Sequence, residues 1–293
     1  MRYTQSMDLR APTTVGGLLT LGRLRLRNSE SARLDCELLL SHVLNCQRSN
    51  LLTRREQAMT PPACAAFLSM LEDRERGVPV AYLLGHREFW SLTLRVSCDT
   101  LIPRPETELL VELALQLIPA KRDARVADLG TGTGAIALAI ASKRPNWSVV
   151  ATDLSEAALH VARGNAKLFA LDNVEFRHGD WLTPLSGERV DLIVSNPPYV
   201  AANDPHLQQG DVRFEPPLAL VGGEDGLHAI RHIVALAGPC LRDDGWLLLE
   251  HGATHGEAVR ELFGAHGFEA VATHRDLASL ERGSVGRKRP EHA

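Results

Sequence analysis

No run of twenty apolar residues occurs anywhere in the 293-residue chain, so the sequence offers no candidate membrane-spanning helix. The opening Met1-Arg2-Tyr3-Thr4-Gln5-Ser6 lacks the apolar core of a secretion signal. Cysteine is scarce and unpatterned: Cys36, Cys46, Cys64, Cys98 and Cys240 are odd in number and never fall in C-x-x-C spacing. That argues against a disulfide framework, a zinc site or an iron–sulfur cluster, and for a reducing compartment. A cytoplasmic protein without a membrane partner is expected. Metal binding is not expected either. His228 and His232 are four residues apart, as are His251 and His255, but a third ligand and an H-E-x-x-H context are missing. Positive charge is also in short supply. The net charge is −4, which gives no global electrostatic footprint for nucleic acid, and no direct DNA binding is expected.

What is present suits two domains, since 293 residues at 44% hydrophobic content can build sizeable cores. The charge divides unevenly, with residues 1–85 at +3 and the remainder at −7. The front segment reads as helical. Leu18, Leu19, Leu21, Leu24 and Leu26 form one apolar cluster. Ser31 can cap a helix in which Leu34, Leu38, Leu39, Val43 and Leu44 recur at helical spacing. Pro61-Pro62 opens a further helix to Glu75, which Gly77 and Pro79 break. No constellation in this segment carries chemistry, so residues 1–85 read as a helical substrate-recognition domain. Residues 86–104 read as a β-hairpin linker, with Phe89, Leu92, Leu94 and Val96 alternating with polar neighbours. Phe89 and Arg104 are candidates to touch the substrate. Pro105 can start a helix whose first turn holds Glu106 and Glu108.

Residues 105–293 alternate strands and helices, the pattern of a parallel sheet covered on both faces. Two loops there concentrate the chemistry. Gly130-Thr131-Gly132-Thr133-Gly134 joins the strand-like Arg125-Val126-Ala127 to an apolar helix, where glycines let a ligand approach the backbone closely. A second strand ends in Asp153, about twenty residues on, where a carboxylate can accept ribose hydroxyls. Asp180-Trp181 lies just after a third strand and can meet an adenine base. The fourth strand runs directly into Asn196-Pro197-Pro198-Tyr199. Prolines have no N–H and restrict the residue before them, so this loop offers acceptors and a flat ring rather than donors. Such a surface suits a planar NH2 group. Taken with the glycine loop, it makes S-adenosylmethionine the better ligand than a nicotinamide dinucleotide, with S-adenosylhomocysteine as product.

The glycine loop followed by Asn196-Pro197-Pro198-Tyr199 resembles class I methyltransferases that modify an amino or amide nitrogen. Arg87-Glu88-Phe89-Trp90, Leu101 to Glu108, Asp211 to Pro216, Gly222 to Leu227 and Leu247 to Gly252 are similar to stretches of the peptide chain release factor glutamine N5-methyltransferases, the HemK/PrmC family. The similarity runs from about Leu18 to about Arg287. It departs at the first dozen residues and at Lys288, where the family tends to carry an aromatic.

The resemblance implies an α/β fold with a mostly parallel seven-stranded sheet, one strand antiparallel, behind a small N-terminal helical bundle. It implies methylation of the glutamine in a Gly-Gly-Gln loop, with release factors as protein partners. On this reading Asn196, Pro197 and Tyr199 are catalytic, and Asn196, Pro197, Pro198 and Tyr199 hold the substrate. Gly130, Thr131, Gly132, Thr133, Gly134, Asp153, Trp181 and Asn196 hold the cofactor. Two alternatives stay open: an adenine-N6 or cytosine-N4 methyltransferase acting on a flipped base, and a catalytically silent adaptor of the same fold.

Overall fold

Capping residues and prolines set the helix ends in the first 84 residues of the computed structural model, which describes residues 13–290. Helix α1 (Val15–Arg25) starts where the Thr14 hydroxyl accepts the Gly17 N–H at 3.2 Å. Helix α2 (Ala32–Val43) has Ser31 at its N-cap, as expected, but the hydroxyl makes no cap bond to the backbone. It donates instead to Asp35 at 2.8 Å, and Asp35 also takes the Arg74 guanidinium at 2.8 Å. Helices α3 (Arg48–Thr53), α4 (Pro61–Glu75) and α5 (Val80–Leu84) complete this unit, with both prolines of α4 in its permissive first turn. Leu18, Leu39, Leu40, Phe67 and Leu71 are fully buried and form its core.

A second unit runs from Gly85 to the chain end. It opens with the hairpin β1 (His86–Phe89) and β2 (Leu92–Arg95), turned at Trp90 and Ser91 with φ of 50° and 63°. Two consecutive left-handed residues give the turn the twist that hairpin strands need. A short 3-10 turn at Pro105–Thr107 leads into α6 (Glu108–Leu117). Alternation follows: β3 (Arg125–Leu129), α7 (Ala135–Lys143), β4 (Ser148–Asp153), α8 (Glu156–Leu168), β5 (Val174–His178), β6 (Val190–Ser195), α9 (His228–Cys240), β7 (Leu241–Glu250), α10 (Gly256–Ala265), β8 (Phe268–Arg275) and β9 (Glu281–Lys288). The seven strands from β3 onward form one sheet in the order β5-β4-β3-β6-β7-β9-β8. Only β9 runs against its neighbours.

The sheet explains the apolar runs. All six residues of β6 are buried, because helices cover both faces. Each fully buried aliphatic side chain contributes roughly 1.5–3 kcal/mol. The order also fixes where a ligand can sit. From β3 the chain builds outward one way through β4 and β5, then returns to add β6 and β7 on the other side. The crevice between β3 and β6 is the topological switch point, beyond the carboxyl ends of the strands. Lys288 is buried at the far side of the sheet, where its ammonium donates to the Leu241 carbonyl at 3.2 Å.

Candidate functional site

The register brings the two sequence motifs to one edge. Leu129 pairs with Thr152 on one side and with Ser195 on the other, and Ser195 pairs with Leu249. The glycine loop, Asp153, Asn196 and Glu250 therefore leave the sheet together. A cavity of about 380 Å³ opens there, lined by Gly130, Gly132, Asp153, Trp181, Asn196 and Pro198 among others. That volume lies within the range of small-molecule sites, roughly 300–1,000 Å³.

The glycine loop is held from below by a buried carboxylate. Asp128 Oδ2 accepts from the Thr131 hydroxyl at 2.6 Å and from the Ala137 N–H at 3.1 Å. Burial pushes the Asp128 carboxyl up to about 7 against those two donors, and its Oδ1 has no partner among the described residues. Gly130 has φ +68°, and a Cβ there would stand 3.2 Å from the Trp181 indole. Only glycine gives both the left-handed backbone and the close ring contact. Trp181 itself has φ +41°, and its carbonyl is held by the Thr152 hydroxyl at 3.0 Å.

Asp153 closes the same end. Its two oxygens accept the Gly132 N–H and the Ser155 N–H, each at 2.8 Å, which leaves lone pairs free for a ligand's hydroxyls. Burial raises its pKa, opposed by those backbone donors.

The facing walls come from two loops. Asp99, Thr100 and Leu101 form one, and Leu218, Ala219 and Val221 the other. Glu215 ties them together: it accepts the Ile102 N–H at 3.0 Å and pairs with Arg104. The strap that follows lies on the Asn-Pro-Pro-Tyr backbone. Val200 donates to the Leu220 carbonyl at 2.9 Å and accepts from Gly222 at 2.8 Å. At Gly226, with φ +76°, a Cβ would collide with the Tyr199 carbonyl.

The residues of this cleft fit a nucleoside-bearing ligand. A Cβ at Gly130 would crowd the Trp181 ring at 3.2 Å, a carboxylate with free lone pairs ends β4, and the buried Asp128 Oδ1 has no partner beneath the loop among the described residues.

Sequence comparison decides the family. A model of the PrmC N-terminal domain matches residues 17–85, and one of the methyltransferase small domain matches residues 106–210. The release factor glutamine methyltransferase of Xylella fastidiosa strain 9a5c is 54% identical over 255 residues, 87% of this chain and 93% of the relative. That of Escherichia coli K12 is 48% identical over 263 residues, 90% and 95% of the two chains. The chain belongs to the release factor glutamine methyltransferase family. Among solved structures, a methyltransferase from Pyrococcus furiosus superimposes with a TM-score of 0.52 at 18% identity, covering 68% of this chain and 90% of that one. This likeness is one of fold.

In this member of the family the expected site residues divide. Gly130, Gly132, Asp153, Trp181, Asn196 and Pro198 line the cavity. Thr131 and Thr133 are buried beneath it, and Gly134 packs against Leu138 and Ala162 at the start of α7, so these three shape the loop. Pro197 and Tyr199 stand outside the cavity lining, on the loop that Asn196 begins. Phe89 is buried in the core beside Leu94 and Leu110, away from the cavity, and Arg104 is engaged with Glu215. Glu108 accepts the Trp90 N–H at 2.8 Å and so anchors the hairpin turn.

Two residues were missed. Thr107 accepts the Asn196 side-chain N–H at 3.0 Å, and Glu250 accepts the Tyr199 hydroxyl at 3.0 Å. The only sequence signal for Glu250 is a carboxylate ending an apolar strand, which acquires meaning once β7 is known to lie beside β6. Among the described residues no cluster of His, Cys, Asp and Glu is placed to hold a metal, and no helix is long and apolar enough to cross a membrane.

Proposed function

We propose that this chain transfers a methyl group from S-adenosylmethionine to the side-chain amide nitrogen (N5) of the glutamine in the Gly-Gly-Gln loop of peptide chain release factors. The observation that carries the proposal is the position of Asn196. It lies in the same cavity as Gly130, Gly132 and Asp153, with its NH2 end engaged behind it by Thr107. Its carbonyl oxygen is thus available to accept a hydrogen from a substrate NH2.

S-adenosylmethionine, when bound, supplies an electrophilic methyl on a sulfonium. Gly130 and Gly132 would admit its backbone-facing portion, Asp153 would accept its ribose hydroxyls, and Asp180 and Trp181 would border its base. Asn196 Oδ1 and the Pro197 carbonyl would accept the two hydrogens of the target amide. This draws the nitrogen toward tetrahedral geometry and aims its lone pair. Tyr199 would pack on the amide plane. Burial and the neighbouring Glu250 raise the Tyr199 pKa, so the ring stays a neutral phenol.

A delocalised amide nitrogen is a poor nucleophile, and these residues act by orientation and exclusion of water. The proton departs after the carbon–nitrogen bond has formed. The naming of relatives at 48–54% identity as release factor glutamine methyltransferases supports the substrate. The five helices of residues 13–84, which line no part of this cavity, are proposed to recognise the factor.

Mass spectrometry of a release factor incubated with the protein and isotope-labelled S-adenosylmethionine tests the proposal. Label on the Gly-Gly-Gln glutamine is the expected result. Label confined to nucleic acid, or to another residue of the factor, overturns it.

A further inference from the structure

One fully buried side chain bonds to the segments that lead into two walls of the cavity. Asn165 lies on α8 and is shut off from solvent. Its Oδ1 accepts the Arg95 N–H at 2.8 Å, and its Nδ2 donates to the Arg95 carbonyl at 3.1 Å and to the Thr133 carbonyl at 2.9 Å. Those partners are 70 and 32 positions away along the chain. A backbone N–H only donates and a carbonyl only accepts, so the amide fits one way round, with both of its hydrogens used.

Each partner runs directly into the cavity lining. Thr133 follows Gly132, which lines the cavity, and precedes Gly134, whose φ of +84° starts α7. The Gly134 N–H donates to the Thr131 carbonyl at 2.8 Å, while the Thr133 carbonyl of the same peptide unit is held by Asn165. That peptide plane is therefore fixed from both sides. Arg95 ends β2, and the Val96 N–H after it donates to the Gly85 carbonyl at 3.1 Å. Ser97 then closes a turn on Thr100, whose N–H and hydroxyl both donate to the Ser97 carbonyl. Asp99, Thr100 and Leu101 form the facing wall. By exchanging two bonds with one residue of β2, the Asn165 amide stands in for a neighbouring strand. Its third bond carries that hold to the glycine loop.

We infer that Asn165 is a positioning residue that couples the glycine loop to the wall at residues 99–101: a ligand seated on Gly130 and Gly132 also steadies the end of the hairpin, and the hairpin end in turn strengthens the hold on the ligand. For the identity of that ligand this rests on the methyl-transfer reading; the link within the unliganded protein does not need it. Coupling between two places is reciprocal, so a change made at either one must appear at the other. Val96 lies outside the cavity lining, and its bond to Gly85 does not involve Asn165, so its amide reports opening of the hairpin end and not contact with the ligand.

The full-length chain is compared with N165A, R95P and R95A, with S-adenosylhomocysteine as the probe. Hydrogen exchange of the Val96 amide is followed by NMR and binding by calorimetry, at a temperature where each variant is folded. R95A removes an exposed side chain and keeps both backbone bonds, whereas R95P also removes the N–H that Asn165 accepts. In wild type and R95A, saturating probe should slow Val96 exchange at least about fivefold, and in N165A and R95P by less than about twofold. The Kd for the probe should rise at least about fivefold in N165A and R95P and stay within about twofold of wild type in R95A.

A residue that only supports the fold would lower Tm and leave the probe-dependent slowing intact. Equal slowing of Val96 in wild type and N165A, or a wild-type Kd in R95P, overturns the inference. Should N165A not fold, R95P against R95A applies both criteria. If the wild-type chain does not bind the probe, the cofactor reading fails, and Val96 exchange without ligand still decides the link: faster exchange in N165A and R95P than in wild type and R95A is expected, and equal rates in all four overturn it.

Discussion

Asn196 shows how much one side chain owes to its neighbours. As a sequence feature it is the first residue of a rigid, donor-poor loop. In the folded chain it is held by Thr107 from a different segment, 89 positions away. On the proposed mechanism, replacing it by alanine removes one acceptor for the target NH2 and leaves both prolines and the glycine loop in place. Misplacement of a reacting group by about 1 Å can cost on the order of a hundredfold. Single-turnover methylation by N196A should therefore fall by about that factor while S-adenosylhomocysteine affinity changes little; near-wild-type single-turnover rates would remove Asn196 from the mechanism.

Asp128 makes a different prediction. Burial raises its pKa from 3.8 to about 7, so the native state retains a proton that the unfolded chain has already released. Stability then falls as pH rises between those two values and levels off above them. In D128N, without added cofactor, the decline of Tm from pH 4 to pH 7 should be shallower than in wild type. Glu250, raised in the same direction, contributes to both proteins and leaves a residual slope. Equal slopes would show that Asp128 ionises as readily in the folded protein as in the unfolded one.

At the scale of elements, legibility in the sequence follows the range of the interactions. The strands β3, β4 and β6 were readable because burial on both faces writes them as continuous apolar runs. The hairpin β1–β2 was readable from its alternation. Helices α3 and α5, of six and five residues, are too short to show a period, and they were missed. Ser31 stands where capping chemistry puts it, yet its hydroxyl makes no cap bond and donates to Asp35 instead. Glu250 was illegible as the partner of Tyr199 because strand order, a non-local property, sets β7 beside β6.

The strap from Leu220 to Gly226 is the element on which the Asn-Pro-Pro-Tyr backbone rests, and Gly226 is its tightest point. Alanine there must adopt φ near +76°, at a backbone cost of roughly 1–2 kcal/mol, and its Cβ must displace the Tyr199 carbonyl. G226A should lower Tm by several degrees and lower kcat, with cofactor affinity less affected. A variant with wild-type Tm would show that the strap yields without strain.

For the whole molecule, the decisive fact is how cores and cavity are distributed. The core built on Phe67 and Leu71 lies entirely before Gly85, and the two cores of the sheet lie entirely after it. Every residue lining the cavity falls in the second unit. The two compact units therefore each bury apolar surface of their own, and the cavity lining belongs to one of them. The strand order that assembles the cleft needed the fold. If the front unit serves recognition, removing residues 1–84 should leave a folded domain whose circular dichroism and cooperative melting match an intact sheet. Calorimetry should give a Kd for S-adenosylhomocysteine within a few-fold of the full chain. Methylation of an intact release factor should be lost, and a short peptide carrying Gly-Gly-Gln should be methylated equally slowly by both forms, because it offers the front unit nothing to hold. A truncated, folded domain that methylates the intact factor at the full-length rate would show that recognition resides in the sheet domain alone.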